Sequence, residues 1–217
     1  MGFIKKLLPE KMPDFWVKHY SKDVAEKIFL SQYKRMAEEL PLYSGIILDL
    51  GTGPGYLPIE IVRRRPGIKV IGIDLSKKML RIAKNNGAGI NNLEFIIMDA
   101  KSLGLRESSV SFVISTGSFH HWKAPLRVFN EIYRVLKPDG QAWIYAGSSD
   151  VNYKNINLPE VMDSPWSKFI FKKIFRFYGF TKKAYKSQIE PVINKSLFKK
   201  AKLEEKGIWY RISLRKV

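Results

Sequence analysis

The sequence Ile46-Ile-Leu-Asp-Leu-Gly-Thr-Gly-Pro-Gly55 decides how this chain is interpreted. Its first half closes a short apolar run, 45–50, which is typical of a buried β-strand, and residues 56–65 that follow the glycines have the pattern of a helix. In an open parallel sheet such a strand-to-helix turn lies where ligands bind, and its glycines let the backbone approach a ligand closely. We therefore predict a cofactor-binding loop at residues 51–55.

Strand and helix patterns alternate after this loop. Further strands are predicted at 69–74, 93–98, 110–116 and 141–146. One helix is expected to begin after Ser76, which suits an N-cap, and another begins with Pro125 in its first turn. Short apolar strands alternating with helices are typical of a parallel sheet covered on both faces. The expected fold is α/β, a Rossmann-like doubly wound sheet.

The length of 217 residues predicts a single domain. Within it we expect four regions: an N-terminal helical cap at 1–40, with an amphipathic helix over 22–40, a cofactor-binding core at 41–149, a substrate lid inserted at 150–200, and a terminal hairpin at 201–217. The hairpin is expected to turn at Gly207.

Composition excludes several classes of protein. The chain has no cysteine, which excludes disulfides, zinc–cysteine sites and thiolate catalysis, and we predict no metal site. Charges interrupt every apolar run in residues 1–12, so no signal-peptide core is expected there, and no run of about 18 apolar residues is long enough to span a membrane. We therefore expect a cytoplasmic protein.

The chain is strongly basic, with 38 Lys and Arg against 20 Asp and Glu, a formal charge of +18. The excess is uneven: +2 in residues 1–40, +6 in residues 41–149 and +10 in residues 150–217. Such an excess informs about partners rather than fold. Most of it therefore concerns the region in which we expect the lid.

Two carboxylates suggest what the glycine loop binds. Asp74 ends the second predicted strand, where a carboxylate can accept hydrogen bonds from a ribose diol, and Asp99 follows the third, where it can accept from an adenine amino group. A dinucleotide fingerprint needs Gly or Ala at position 56, and this chain has Tyr56. The pattern thus favours an adenosyl ligand without a pyrophosphate.

Together these residues resemble the class I S-adenosylmethionine-dependent methyltransferases. The resemblance runs from about residue 46 to 145, through the glycine loop, Val70-Ile-Gly-Ile-Asp74, Met98-Asp99-Ala100, the stretch 115–122 and Arg134-Val-Leu-Lys-Pro-Asp-Gly140. Within the class, Phe119-His-His-Trp122 and residues 134–140 are most similar to the small-molecule branch that includes the quinone-biosynthesis C-methyltransferases.

This resemblance implies a seven-stranded, mostly parallel sheet whose last strand, near 209–214, is antiparallel. It implies S-adenosyl-L-methionine as cofactor and S-adenosyl-L-homocysteine as product. Carried over by position, Gly51 and Gly53 lie against the methionine part, Asp49 near its ammonium, Asp74 on the ribose, and Asp99 with Ala100 at the adenine. The cofactor-binding residues implied in addition are Thr52, Gly55, Leu75 and Thr116.

The residues after the fourth strand are candidates for the methyl acceptor's side of the site. His120 and His121 are expected beside the transferred methyl, and either imidazole could act as a general base, although the pair could equally serve only to pack and hydrogen-bond its loop. Phe119 and Trp122 are predicted to contact the substrate. Tyr20, next to His19, is predicted to close over the site as a lid.

Residues 166–186 have an unusual composition, with seven basic residues, no acidic residue and eight aromatic residues. An apolar stripe at helical spacing in this segment is compatible with a cap helix over the substrate pocket, with an anionic membrane surface or lipidic substrate, or with nucleic acid, which we favour least.

Three functions remain open on the sequence. The first is methyl transfer to a small, apolar or anionic molecule. The second is methylation of RNA or protein, steered by the basic surface. Against RNA, residues 115–118 lack the Asn-Pro-Pro-Tyr-like sequence of enzymes that methylate exocyclic amines of nucleic acid. The third is a non-catalytic protein of the same fold that binds a nucleoside or docks to a membrane.

Overall fold

The computed structural model describes Val17, Glu26, residues 29–150 and residues 179–217. In these parts seven strands form one sheet: β1 (Gly45–Leu50), β2 (Ile68–Asp74), β3 (Leu93–Ile97), β4 (Val110–Thr116), β5 (Leu136–Gly147), β6 (Lys202–Lys206) and β7 (Trp209–Arg215). Their order is β3-β2-β1-β4-β5-β7-β6. The pairings among β1 to β5 are parallel, whereas β7 is antiparallel to both β5 and β6. The predicted fold class and the antiparallel last strand are confirmed.

Helices cover this sheet. The described helices are α1 (Leu30–Glu39), α2 (Tyr56–Arg64), α3 (Lys77–Asn86), α4 (Pro125–Val135) and α5, our name for three consecutive helical segments, Lys182–Ala184, Tyr185–Ile189 and Glu190–Lys195. The predicted cap of α3 is present: the Ser76 hydroxyl accepts the Met79 N–H at 3.3 Å. Such a cap satisfies one of the amide donors that the first turn of a helix leaves unpaired.

The core has two main parts, one on each face of the sheet. Along β1, Leu48 and Leu50 belong to one cluster and Ile47 to the other, as the two-residue period of a strand requires. The first cluster is covered by α4 and α5, the second by α1 and α2. Burial on both faces explains why the strands read as continuous apolar runs in the sequence.

Strand β5 begins earlier than predicted. It starts at Leu136, which pairs with Val110, and the register then shifts so that Phe112 pairs with Gln141. Residues 138–140, which precede the predicted strand at 141–146, therefore form an irregularity inside β5, with Asp139 at φ 61°. The end of the chain stabilises it, because Asp139 N–H donates to the Lys216 carbonyl at 3.1 Å and Lys216 N–H donates to the Gly140 carbonyl at 2.9 Å.

The two segments flanking the core are described in part. Of the predicted N-terminal helix, α1 packs on the sheet through Tyr33, Met36 and Ala37, and residues 22–28 apart from Glu26 lie outside the described residues. Of the predicted lid, residues 151–178 lie outside them, and so does the apolar stripe of 170–178. The described remainder of that segment buries Phe180, Tyr185, Ile189 and Ile193 in the same core as α4.

Within the described residues, the longest helices are too short or too polar to cross a membrane. The division of the chain into cap, core, lid and hairpin stays a prediction.

A buried arginine attaches α1 to the rest of the fold, and its removal should destabilise the protein. Arg65, only 7% exposed, donates from Nε to the Ala37 carbonyl (3.2 Å) and from Nη2 to the Glu38 and Leu40 carbonyls (2.9 and 3.0 Å). These carbonyls end the helix and have no intrahelical donor. Arg65→Ala should lower the free energy of unfolding by about 3 kcal/mol, since charge-assisted bonds are lost and buried acceptors stay unpaired.

Urea unfolding followed by circular dichroism measures this loss. Arg81→Ala, on the exposed face of α3, is the matched control and should change the midpoint little. Equal midpoints for the two variants would refute the capping role of Arg65.

Candidate functional site

A cavity lies at the carboxyl ends of β1, β2, β3 and β4, where the chain crosses over in opposite directions on the two sides of β1. Ligands bind at such a switch point in open α/β sheets. Four strand ends, the loops after them and the first turns of α3 and α4 supply its lining: Gly51, Gly53, Ile73, Asp74, Leu75, Met79, Met98, Asp99, Ala100, Lys101, Thr116, Gly117, Ser118, His121, Trp122, Lys123 and Val128.

The glycine loop after β1 is tied to the end of β2. The N–H groups of Gly51 and Thr52 both donate to the Ile73 carbonyl at 2.9 Å. Gly53 has φ 54°, and a Cβ built on it would meet no atom within 4 Å. The Gly53 backbone therefore faces open cavity space, which a ligand can approach as closely as the absence of a side chain allows.

Asp74 holds this loop from the side of β2. Its Oδ2 accepts the Gly53 N–H at 3.0 Å and its Oδ1 accepts the Ser76 N–H at 2.8 Å. Burial raises the pKa of Asp74, while the backbone hydrogen bonds from Ser76 and Gly53 and the charge of His121 oppose this shift. An ionised carboxylate accepts about four hydrogen bonds, so two positions remain for ligand hydroxyls.

Asp49 lies on β1 beneath the loop and is 2% exposed. It is absent from the cavity lining, in which the resemblance would have placed it near an ammonium group. Burial raises its pKa to about 7, the Thr52 hydroxyl opposes this, and the charge of Asp74 adds to it. Thr52 and Gly55 likewise support the loop from outside the lining residues.

At the end of β3, Asp99 remains accessible. Its Oδ1 accepts the Lys101 N–H at 2.9 Å and its Oδ2 pairs with Lys101 Nζ at 3.4 Å, with the side chain 37% exposed. Asp99, Ala100 and Met98 line the cavity together, as the sequence predicted for the first two. A planar base could lie against Met98 and Ala100 with its amino group towards Asp99.

Of the residues after β4, some line the cavity and others pack behind those that do. His121 and Trp122 line the cavity, whereas His120 does not, although its ring lies 4.2 Å from that of His121. Phe119, predicted to contact substrate, is only 4% exposed and packs edge-on behind Trp122 with ring centroids 5.1 Å apart. Its apolar burial makes it a support of the wall. Tyr20 lies outside the described residues.

The cavity fits an adenosyl ligand on three counts. Gly53 leaves space that a side chain would fill. The Thr116 hydroxyl oxygen is buried at the cavity and has no hydrogen-bond partner among the residues that the structure describes, so a ligand atom could satisfy it. Two carboxylates, those of Asp74 and Asp99, stand at the ends of neighbouring strands and can accept hydrogen bonds from a ligand. Among the described residues no group of three potential metal ligands occurs.

Sequence reasoning missed several lining residues, of which Lys101, Ser118 and Lys123 are polar. Each follows a predicted strand end by two to seven residues, and parallel strand ends meet at one edge of the sheet. That position in sequence was the available signal, because neither residue type is distinctive by itself.

Residues 48–144 match the family model described as a methyltransferase domain, which confirms the resemblance. The chain is similar to a malonyl-[acyl-carrier protein] O-methyltransferase of Marinomonas sp. (37% identical, 49% of this chain, 40% of that protein) and to a demethylmenaquinone methyltransferase of Thermus thermophilus (33%, 51% and 51%). It is also similar to a protein of Homo sapiens named, provisionally, tRNA methyltransferase 9B (26%, 72% and 32%). The chain thus spans about half or less of the length of these relatives.

One solved structure covers nearly the whole chain. It is provisionally assigned as an S-adenosyl-L-methionine-dependent methyltransferase from Methanococcus maripaludis, with TM-score 0.77, 21% identity and 97% of each chain covered. At this identity the likeness concerns the fold alone.

The raised pKa of Asp49 predicts a pH dependence of stability. Its pKa lies at about 7 in the folded protein against a usual value of 3.8, so between these values the folded state holds a proton that the unfolded chain has released. The free energy of unfolding should therefore fall as pH rises from about 4 to about 7, by up to roughly 1.4 kcal/mol per pH unit from this group. Asp49→Asn should remove that part of the slope.

Urea titrations of the ligand-free protein at a series of pH values measure the slope. Asp139→Asn, whose side chain is 76% exposed, is the control and should keep the parent's slope. An Asp49→Asn variant with the parent's pH profile would contradict the shift.

Proposed function

We propose that this protein, which carries a methyltransferase domain over residues 48–144, is an S-adenosyl-L-methionine-dependent methyltransferase acting on a small molecule. The observation that carries the proposal is the cavity at four strand ends, open at Gly53 and bordered by Asp74 and Asp99. The relatives' shared activity supports the reaction type, although this chain covers about half or less of them.

Each described residue would have a limited task, because the cofactor carries the reactive group. When bound, S-adenosyl-L-methionine supplies the methyl group carried by its sulfonium sulfur, and transfer of that methyl group leaves S-adenosyl-L-homocysteine. Asp74 would accept hydrogen bonds from the ribose hydroxyls, and Asp99 would accept one from the adenine amino group. The loop at Gly51 and Gly53 would hold the methionine part. The protein's contribution is mostly positioning the acceptor in line with the methyl group.

His121 is the better candidate for a general base. It lines the cavity in which cofactor and acceptor would lie. An acceptor that carries a proton on its attacking atom would lose it to the His121 imidazole. His120 would then support its neighbour, since it stands outside the lining.

The acceptor we propose is apolar or anionic. Trp122 and Val128 give the acceptor side an apolar wall, and Lys123 adds an exposed cation at its border. The relatives' names include a malonyl group, which is anionic, and demethylmenaquinone. A peripheral contact with an anionic membrane or lipidic substrate through residues 166–186 belongs to this proposal, as does a cytoplasmic location.

RNA is the second candidate acceptor, favoured by the relative named after tRNA and by the net charge of +18. Phosphate contacts release counterions, so binding of RNA should weaken steeply with salt. Methyl transfer to RNA with such a salt dependence would replace the small-molecule proposal. The third candidate function is non-catalytic, a protein with this fold that binds the nucleoside without turnover.

Gly53 provides the sharpest test of cofactor binding. Gly53→Ala places a methyl group in the cavity at a positive φ, which costs on the order of 1 kcal/mol in backbone strain. Calorimetry should show S-adenosyl-L-homocysteine binding to the parent and a loss of more than tenfold in affinity for the variant. Gly89→Ala is matched, since Gly89 has φ 80°, equally open space and a position outside the lining residues.

Gly89→Ala should therefore show a similar loss of stability with unchanged affinity. If the parent binds no S-adenosyl-L-homocysteine, the proposed function is wrong. If both variants bind like the parent, the loop at Gly53 is not where the cofactor lies.

A screen for the acceptor uses isotopically labelled S-adenosyl-L-methionine and mass spectrometry of small-molecule extracts, with RNA in a parallel arm. Lys123→Gln should raise KM for an anionic acceptor by roughly two- to fivefold, the range of one exposed charge contact, and leave an uncharged acceptor unaffected. Lys84→Gln, exposed on α3, serves as control. An unchanged KM with an anionic acceptor would remove Lys123 from the site.

A further inference from the structure

A chain of hydrogen bonds runs from the cavity wall into the sheet. Trp122 Nε1 donates to Ser118 Oγ at 3.3 Å, and the hydroxyls of Ser118 and Ser115 are 2.6 Å apart. Ser115 Oγ donates to the Leu50 carbonyl at 2.9 Å, whereas Ser118 Oγ lies 3.2 Å from the same carbonyl. Each hydroxyl has a single proton, so the distances favour the direction Trp122 to Ser118 to Ser115 to Leu50.

These hydrogen bonds join the loops on the two sides of the cavity. Leu50 ends β1 and precedes Gly51, the first glycine of the loop. A Cβ on Gly51 would come within 2.5 Å of Ser118 Cβ, so the loop after β4 lies directly on the glycine loop. The hydroxyls are thus anchored on backbone that the sheet already fixes.

At the cavity end of these hydrogen bonds, the Trp122 indole has a restricted orientation. Trp122 meets Phe119 and Phe129 edge-on, with ring centroids 5.1 and 5.7 Å apart, and lines the cavity itself. Two aromatic edges limit the tilt of the indole, and the donated N–H selects which way the ring faces.

We propose that Ser118 is a positioning residue that sets the acceptor-side wall by holding the Trp122 indole. This inference rests on the proposed function, because only that function makes the Trp122 side of the cavity the place where the methyl acceptor binds. Without the hydroxyl, the indole N–H loses its acceptor and Ser115 loses its donor, so Trp122 can adopt other orientations. The contacts of Asp74 with Gly53 and Ser76 are separate, and cofactor binding should persist.

Nuclear magnetic resonance of protein labelled with ¹⁵N-tryptophan tests the geometry without an acceptor. The indole resonance of Trp122 is assigned by its loss in Trp122→Phe. In Ser118→Ala that resonance should shift, and its hydrogen exchange should accelerate about fivefold, the equivalent of one neutral hydrogen bond. The control is Ser109→Ala, which removes another serine hydroxyl bonded to a carbonyl, at 2.6 Å from Arg106, and should change neither.

Binding separates positioning from a merely structural role. Ser118→Ala should bind S-adenosyl-L-homocysteine within about twofold of the parent, while KM for the acceptor found by the labelled screen rises about fivefold. Adding Ser118→Ala to Trp122→Phe should cost little more than Trp122→Phe alone. An unchanged indole resonance in Ser118→Ala, or an affinity for S-adenosyl-L-homocysteine that falls as much as the acceptor's, overturns the proposal. Failure of the parent to bind S-adenosyl-L-homocysteine instead defeats the proposed function, and the resonance still reports on Ser118.

Discussion

The site depends on one carboxylate, that of Asp74, which receives amide protons from two different segments. Its oxygens accept the Gly53 N–H and the Ser76 N–H, so the glycine loop, the end of β2 and the start of α3 are held by the same group. Those amides would otherwise be loop donors with no regular partner. Burial raises the pKa of this carboxyl group, whereas the two backbone hydrogen bonds favour its ionised form and oppose the shift.

Sheet topology determines what surrounds this carboxylate. Because β1 lies between β2 and β4, the chain leaves β1 towards one side and reaches β4 on the other. One half of the cavity is thus built from Asp74 and Asp99, and the other half from the segment after β4. The two halves meet where Ser118 lies directly against Gly51, with no room between them for a side chain on the glycine.

The sequence predicted the parts of the site whose positions follow from backbone pattern. Asp74 and Asp99 were identifiable because parallel strands end at a common edge, and the glycines because a strand-to-helix turn demands them. Burial was harder to predict: Asp49, expected near an ammonium group, and Phe119, expected to contact the substrate, are both buried and absent from the cavity lining. Whether a side chain points inward or outward after a strand depends on the packing of other elements, here Trp122 and Phe129 for Phe119. Networks such as Ser115 with Ser118 depend on distances that sequence spacing leaves undefined.

The net charge shows most clearly what packing adds. Among residues 179–217, all of which the structure describes, there are 11 basic and 3 acidic side chains. Five of the basic ones pair with carboxylates, and Lys216 donates instead to the buried Leu136 carbonyl. Arg211 also lies 4.1 Å over the ring of Trp143. About half of this apparent basic surface is therefore used by the fold, where it joins β6 and β7 to their neighbours. The cations left for a partner are the exposed lysines at 183, 186, 195, 199 and 200. A partner on this side of the protein would therefore meet these five lysines rather than all 11 basic side chains.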